Sequence, residues 1–89
     1  MATLFVRHSV SDYEAWRKVY DEFFEARKGA GVTGEAVYRS VDDPNEVTLV
    51  LDFQTIEAAH AFPNDQKLEA AYRQAGSLGA PAIWVGIKT

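Results

Sequence analysis

Several polar and aromatic side chains of this sequence have the chemistry needed to hold and deprotonate a planar molecule that carries oxygen atoms. Arginine can hold an enolate or phenolate, histidine and tyrosine can move protons, and tryptophan can supply a flat wall. The predicted catalytic residues are Arg7, His8 and Tyr38. The predicted ligand-binding residues are Trp84, Arg39, Thr48 and Tyr72.

These residue types also have ordinary structural roles. Arg7 and Arg39 can be solvated or paired with an acidic side chain, for which Glu35 and Glu46 are candidates. Trp84 is better suited to the core of an interface than to the wall of a ligand site. The residue types alone leave both interpretations open.

Metal and cofactor chemistry has little support in the sequence. The chain has no cysteine, and its two histidines, His8 and His60, fall on different predicted elements, whereas metal sites gather several such ligands. The phosphate-loop, serine-hydrolase and zinc-protease motifs do not occur. We therefore expect no metal and no cofactor.

Charge and hydropathy limit the partners of the chain. The formal net charge is -4, which opposes binding to nucleic acid or to anionic membranes. No apolar run approaches the ~20 residues that span a bilayer, and the N-terminus lacks a basic region followed by an apolar one. We expect a cytoplasmic protein of one domain, covering residues 1–89, without a nucleic-acid or membrane partner.

Four segments rich in β-branched and aromatic residues predict strands. They are Thr3–Val10, Glu35–Val41, Glu46–Phe53 and Ala82–Lys88. The turn-like segment Asp42–Asn45 should join the second and third strands in a hairpin. Asp52 is unusual on a central strand. We expect it to have a structural role, in which it pairs with Thr3 or with a cation of a partner chain, or begins the exit of the chain from the strand.

The first helix is predicted to run from Ser11, in a capping box with Glu14, to about Lys28. Its apolar stripe, at spacings of three and four, is Tyr13, Trp16, Tyr20, Phe23 and Arg27. Gly29 and Gly31 should end it.

Thr55 should cap a second helix. Pro63 should interrupt that helix, since proline lacks an N–H and clashes with the preceding turn. The helix should then resume through Ala75, and its apolar stripe there is Leu68, Ala71, Tyr72 and Ala75. Tyr72 would then lie in the core or border a pocket between helix and sheet.

The element order β-α-β-β-α-β predicts a ferredoxin-like α+β fold, with an antiparallel sheet of strand order 4-1-3-2 and two helices on one face. In that sheet, the end of the first strand lies beside the starts of the third and fourth strands. One edge should therefore gather Arg7, His8, Tyr38, Arg39, Thr48 and Trp84.

Both faces of the predicted sheet carry large apolar side chains. Leu4 and Val6 alternate with Phe5 on the first strand, and Trp84 opposes its apolar neighbours on the fourth. Two helices cover one face only, and an exposed apolar patch usually marks an interface. We therefore expect a homodimer in which two sheets pack face to face. The alternative is that a long loop or the hairpin of the same chain covers the second face.

The chain resembles the dimeric α/β-barrel superfamily, and within it the antibiotic-biosynthesis-monooxygenase-like domains. The resemblance rests on three segments: TLFVRHSV leading into VSDYEAW, FQTIEAAHAF, and the tail LEAAYRQAGSLGAPAIWV. It implies a barrel built from two four-stranded sheets. Members of the superfamily include cofactor-free oxygenases, polyketide cyclases and haem-degrading enzymes. At the positions of the haem-degrading residues this chain has Arg7, Phe62 and Tyr72, so the resemblance does not extend to haem chemistry.

The sequence is thus interpreted as a small dimeric α/β-barrel protein that binds a small apolar or aromatic molecule. The alternative is a cofactor-free monooxygenase or cyclase-like enzyme acting on a polyketide-type aromatic substrate. Pocket volume separates an enzyme from a solidly packed module, because ligand sites occupy at least ~300 Å³.

Overall fold

The computed structural model describes residues 1–64, 70, 73 and 76–89. The strands are β1 (Ala2–Val10), β2 (Val32–Arg39), β3 (Glu46–Phe53) and β4 (Ser77–Gly86). In this part of the chain the helices are α1 (Tyr13–Glu22), α2 (Phe24–Gly29) and α3 (Ile56–Ala61), and a 3-10 helix covers Phe62–Asn64.

The strands form an antiparallel sheet in the order β2-β3-β1-β4, with the helices on one face. The predicted strand order and the ferredoxin-like α+β fold are therefore confirmed. The register at the centre pairs Leu4 with Leu51 on one side and with Val85 on the other. Because directly opposed residues share a face, this register also decides which side chains meet.

The two faces of the sheet differ sharply in burial. The inner face, which packs against the helices, carries the buried residues Leu4, His8, Val10, Val47, Leu49, Leu51 and Phe53. The open face carries the alternate residues of the central strands, Thr3, Phe5, Arg7, Ser9, Glu46, Thr48, Val50 and Asp52. The helices contribute Trp16, Tyr20, Ala59 and Phe62 to the core on the inner side.

The first predicted helix differs from the structure at its start and in its middle. Its cap is Asp12, whose Oδ1 accepts a hydrogen bond from the Glu14 N–H at 3.1 Å, and not Ser11. The helix also breaks at Phe23, whose φ of -96° and ψ of 17° are not helical, so that α2 follows as a separate turn. The predicted end is correct, because α2 stops at Gly29 and Gly31 adopts a φ of +104°.

Two strands begin earlier than predicted. β2 starts at Val32, directly after the Gly31 turn. β4 starts at Ser77, although Gly79 and Pro81 indicate a turn, because an irregularity in the β1–β4 pairing accommodates both residues. Gly79 and Pro81 are residues typical of turns, but the segment belongs to β4 because it pairs with β1 on both sides of the irregularity.

The second helix begins as predicted. The Thr55 hydroxyl accepts a hydrogen bond from the Ala58 N–H at 3.1 Å, and the helix gives way to a 3-10 turn at Pro63. The predicted continuation through Ala75, including Leu68, Ala71 and Tyr72, lies outside the described residues.

Candidate functional site

A row of hydrogen-bonding side chains crosses the open face. Thr48 pairs with Arg7 on one side and with Tyr38 on the other, and Arg7 also pairs with Ala82. Antiparallel pairing at successive strands places three polar side chains side by side on one face. Three of the predicted site residues, Arg7, Tyr38 and Thr48, are therefore brought together as the sequence suggested.

The neighbouring row of the open face is apolar and aromatic. It consists of Ala36, Val50, Phe5 and Trp84. The rings of Phe5 and Trp84 stack with centroids 5.4 Å apart and planes 8° from parallel. Trp84 is 48% exposed and Tyr38 is 61% exposed, so the chain leaves two large rings of this face in solvent.

Arg7 is held by an acidic neighbour on the same face. Its Nε donates to Glu46 Oε1 at 2.9 Å, and the side chains are 56% and 29% exposed. An ion pair this exposed contributes little stability, but it orients the guanidinium. The expected pairing of Arg7 with Glu46 is therefore observed.

Asp52 lies at the opposite end of the open face. Its Oδ1 accepts a hydrogen bond from the Thr3 hydroxyl at 2.8 Å, as the sequence suggested. The adjacent Gly34 leaves space for this carboxylate, since a Cβ there would lie 3.1 Å from Asp52 Oδ2. The arrangement is structural, and it does not contact the row of Arg7 and Tyr38.

Arg39 and His8 are not brought together with the other predicted residues. Both pair with Val47 and therefore lie on the inner side of the sheet. The Arg39 guanidinium lies 3.8 Å from the centroid of the Tyr13 ring, and its Nε donates to the Pro44 carbonyl at 3.0 Å. Arg39 thus connects the β2–β3 hairpin to the start of α1.

His8 is the buried polar residue that the fold explains least. The residue is 8% exposed, and its ring lies against that of Trp16, with centroids 5.4 Å apart. Neither ring nitrogen has a hydrogen-bond partner among the described residues. Burial lowers the pKa of His8 below its ordinary value, because the charged imidazolium is poorly solvated there.

The strand next to His8 departs from regular pairing at this point. Ser9 pairs with Leu78 and Arg7 with Ala82. Between these pairs β4 inserts Gly79, Ala80 and Pro81 opposite the single residue His8. The exposed segment 79–81 forms a bulge in β4. Gly79 and Pro81 in the sequence are the signal that could have indicated it, because both residues are typical of strand irregularities.

An aromatic cluster extends from His8 along α1. The rings of Trp16 and Tyr20 stack at 5.0 Å, and Tyr13 lies 6.1 Å from Trp16. Sequence reasoning assigned these residues to the helix stripe and missed the contact of Trp16 with His8. Phe5 was likewise missed as the stacking partner of Trp84, because that contact depends on the strand register.

A shallow depression of about 120 Å³ lies beside the edge strand β2, away from these residues. It is lined by Phe24, Lys28, Val32, Thr33, Gly34 and Glu35. Its volume is below the ~300 Å³ of typical ligand sites.

Residues 29–34 have the spacing GxGxxG, but they follow a helix and enter a strand. The dinucleotide motif requires the reverse order, so that a helix N-terminus faces the phosphates.

The remaining predicted residue, Tyr72, lies outside the described residues. Within the described residues, no helix is long and apolar enough to cross a membrane. No group of three or more histidine, cysteine, aspartate or glutamate side chains in the same part of the chain is placed to hold a metal ion.

Comparison with known proteins identifies the fold. No protein-family model and no curated protein sequence matches the chain. Among solved structures, it is similar to a candidate antibiotic biosynthesis monooxygenase from Bordetella bronchiseptica, with a TM-score of 0.81 and 17% identity over 99% of this chain and 96% of that one.

A second similar structure is SnoaB, a cofactor-independent oxygenase from Streptomyces nogalater. Its TM-score is 0.70, with 19% identity over 99% of this chain and 94% of that one. A conserved protein from Methanosarcina mazei Go1 gives a TM-score of 0.77 with 10% identity over 99% of this chain and 92% of that one. The chain has the fold of antibiotic biosynthesis monooxygenase domains, as the sequence resemblance implied.

Proposed function

We propose that this protein is a homodimer that binds a small apolar or aromatic molecule between its two open faces. The observation that carries the proposal is the stacked pair of Phe5 and Trp84 on a sheet face that the described residues of the chain leave uncovered. Exposed aromatic surface of this kind marks an interaction site.

Covering the open face supplies a driving force for association. A large apolar side chain that passes fully from water into an interface contributes roughly 1.5–3 kcal/mol. A symmetric dimer would cover Phe5, Val50 and Trp84 twice, although Phe5 and Val50 are already partly buried and gain less than this. Association costs ~4–15 kcal/mol in lost freedom and ordering, and covering this face supports association with a second copy by offsetting that cost.

The polar row beside the aromatic pair supports a ligand that is flat and carries oxygen. Thr48 and Tyr38 offer hydroxyl groups, and Arg7 offers a cation whose direction Glu46 fixes. Ligand sites commonly combine an apolar surface with a few polar groups that orient the ligand. An aromatic ring over Val50 would place its substituents beside this row.

The second candidate function is a cofactor-free monooxygenase or cyclase-like enzyme acting on a polyketide-type aromatic substrate. The fold shared with the oxygenase SnoaB favours it. Such an enzyme would deprotonate an electron-rich substrate, stabilise the resulting anion beside Arg7, and use dissolved oxygen as the oxidant. Tyr38 is the candidate proton-transfer group on that face.

Sedimentation velocity at micromolar concentration tests the dimer. We expect the wild-type protein to sediment as a dimer and Val50→Lys as a folded monomer, because a lysine would then lie inside the interface. Val41→Lys is the matched control, since Val41 is 98% exposed in the hairpin loop. A wild-type protein that remains monomeric would refute the proposal.

Binding and turnover are measured separately. Anilinonaphthalene sulfonate, an aromatic anion, should bind the wild-type dimer and bind Arg7→Met more weakly. Oxygen consumption with a naphthohydroquinone tests the second candidate, and Tyr38→Phe should abolish it. Equal rates in wild type and Tyr38→Phe would exclude Tyr38 from the chemistry.

A further inference from the structure

The charged side chains of the open face alternate in sign along the strands. Arg7 lies two residues from Phe5 on β1, toward the end of the sheet that carries the β2–β3 hairpin. Glu46 lies four residues from Val50, the partner of Phe5, toward the same end. Asp52 lies two residues from Val50 in the other direction. From the hairpin end, the order is therefore negative, positive, apolar and negative.

Lys88 adds a positive charge at the end of the sheet that carries Asp52. It follows the last residue of β4, Gly86, by two positions and is exposed. Gly86 pairs with Thr3, and Thr3 pairs with Asp52. The pattern of charges is thus antisymmetric about the central apolar row, because charges at equal distances on its two sides have opposite signs.

Arg7 and Asp52 both have hydrogen-bonding capacity that the chain leaves unused. Arg7 donates from Nε to Glu46, and its two terminal amino groups donate to no described residue. Asp52 accepts the Thr3 hydroxyl at Oδ1, while Oδ2 accepts from no described residue. A guanidinium has five N–H donors and a carboxylate has about four acceptor positions. Each group can therefore take a further partner of the opposite charge.

We propose that the two copies pack open face to open face with their strands running in opposite directions, so that Arg7 of each copy forms an ion pair with the partner's Asp52. The inference rests on the proposed function, because it specifies how the two sheets of that dimer are oriented. A second copy is the partner that the charge pattern fits, since an antisymmetric pattern is complementary to itself when it is reversed.

A single symmetry axis produces both ion pairs. The axis runs between the sheets, at right angles to the strands, and passes over the pair of Phe5 and Val50. It places the level of Arg7 over the level of the partner's Asp52, and the same operation places Asp52 beside the partner's Arg7. Facing sheets lie ~10 Å apart, and the long arginine side chain can extend across most of that gap to a carboxylate.

Charge disfavours the dimer in which the strands of both copies run in the same direction. In that arrangement each level of the face lies over the same level of the partner. Asp52 would then be covered at an end where the nearest Arg7 of either copy is about 13 Å away along the strands. Covering a carboxylate without a counter-charge is costly, whereas the opposed orientation supplies Arg7 and also brings Glu46 to the end that carries Lys88.

The ion pair makes each ligand site of the proposed dimer a shared one. The partner's Asp52 borders the polar row of Arg7, Thr48 and Tyr38, so this row is complete only when the second copy is present. A ligand over the apolar row then meets a cation and hydroxyl groups from one chain and a carboxylate from the other. Dimer orientation and ligand binding are therefore linked through the same two residues.

Sedimentation equilibrium of charge variants tests the ion pair. Asp52→Asn keeps a side-chain oxygen for the Thr3 hydroxyl and removes the charge, and Arg7→Met removes the guanidinium. Because the pair occurs twice in the dimer, each variant should raise the dimer dissociation constant about tenfold. The double variant should be little weaker than either single variant, since both remove the same interaction. Arg17→Met, on the exposed side of α1, is the control and should leave the constant unchanged.

A distance between two spin labels tests the orientation. The chain has no cysteine, so Val41→Cys introduces one labelling site in the hairpin loop, where residue 41 is 98% exposed. In the proposed dimer the two hairpins lie at opposite ends, more than ~26 Å apart along the strands. Strands running in the same direction would bring both hairpins to one end, with the labelled positions within about 20 Å of each other.

The outcomes separate this inference from the dimer itself. A dimer whose dissociation constant is unchanged in Asp52→Asn and Arg7→Met would overturn the ion pair, and so would losses that multiply in the double variant. Labels within about 20 Å would overturn the orientation. In each of these cases the dimer stands, whereas a wild-type protein that remains monomeric would refute the dimer and this inference together.

Discussion

Arg27 on α2 donates to both carboxylate oxygens of Glu35 on β2, from Nε at 2.8 Å and from Nη2 at 3.0 Å. The arginine side chain is 1% exposed, and its guanidinium also lies 3.5 Å from the centroid of the Tyr20 ring. Arginine can form a bidentate ion pair while its guanidinium stacks on an aromatic ring, and lysine cannot. This contact ties the second helical segment to the edge strand.

Glu35→Ala should destabilise the protein, because it removes the carboxylate that accepts two hydrogen bonds from the buried Arg27 guanidinium. Removing one partner of a buried pair costs about 3–5 kcal/mol, and we expect the lower end of that range because the Glu35 side chain is 24% exposed. Asp21→Ala removes the partner of Arg17 in an exposed pair and should cost no more than ~1 kcal/mol. Urea denaturation of the two variants checks the contrast, and similar losses in both would contradict the assigned role of Arg27.

Stability should depend on pH through His8. Burial lowers the pKa of His8 in the folded protein below the ordinary value of 6.5, so protons bind the unfolded chain more readily. The free energy of unfolding should therefore fall as the pH drops below that value. Comparing urea midpoints between pH 8 and pH 5, His8→Phe should flatten part of this decline, whereas His60→Gln should leave it unchanged.

Gly76 should resist substitution because of its backbone and its neighbour. Its φ is +94°, and a Cβ there would collide with the Ser11 hydroxyl. Gly76→Ala should cost about 1–3 kcal/mol. Gly29→Ala is the control, since a Cβ there meets nothing within 4 Å. Adding Ser11→Ala should recover only part of the loss, because it removes the collision and leaves the backbone strain.

The cap of α1 gives a direct comparison of two neighbouring residues. Asp12 accepts a hydrogen bond from the Glu14 N–H, so Asp12→Ala should cost about 1 kcal/mol. Ser11→Ala should cost clearly less, because Ser11 is exposed and does not cap the helix. Thermal unfolding of both variants checks this, and the reverse ranking would restore Ser11 as the cap.

Helix caps and stops show how much of the structure can be predicted from neighbouring residues alone. Thr55 caps its helix and Gly31 ends the preceding helical segment as predicted, because both effects depend only on adjacent backbone groups. The cap of α1 was misplaced by one residue, since Ser11 and Asp12 both have side chains able to accept that hydrogen bond. Local chemistry predicts that a helix starts here but does not choose between neighbours.

The candidate site depended more heavily on the tertiary structure. The sequence predicted that Arg7, Tyr38 and Thr48 lie at one edge of the sheet. The strand register places them side by side in one row on the open face. It also grouped His8 with them, although successive residues of a strand point to opposite faces. Alternation alone placed Trp84 on the opposite face from Ile83 and Val85, whereas its stacking on Phe5 required the β1–β4 register.

By itself, the sequence determined the element order, the sheet topology and the apolar character of both faces, because hydrophobic periodicity and turn formation depend on residues that are close together in sequence. The tertiary structure alone decided which face the helices cover and where β4 bulges, because both follow from pairing between distant segments. The burial of His8 belongs to the same class: no neighbour in sequence reveals that its ring lies against Trp16.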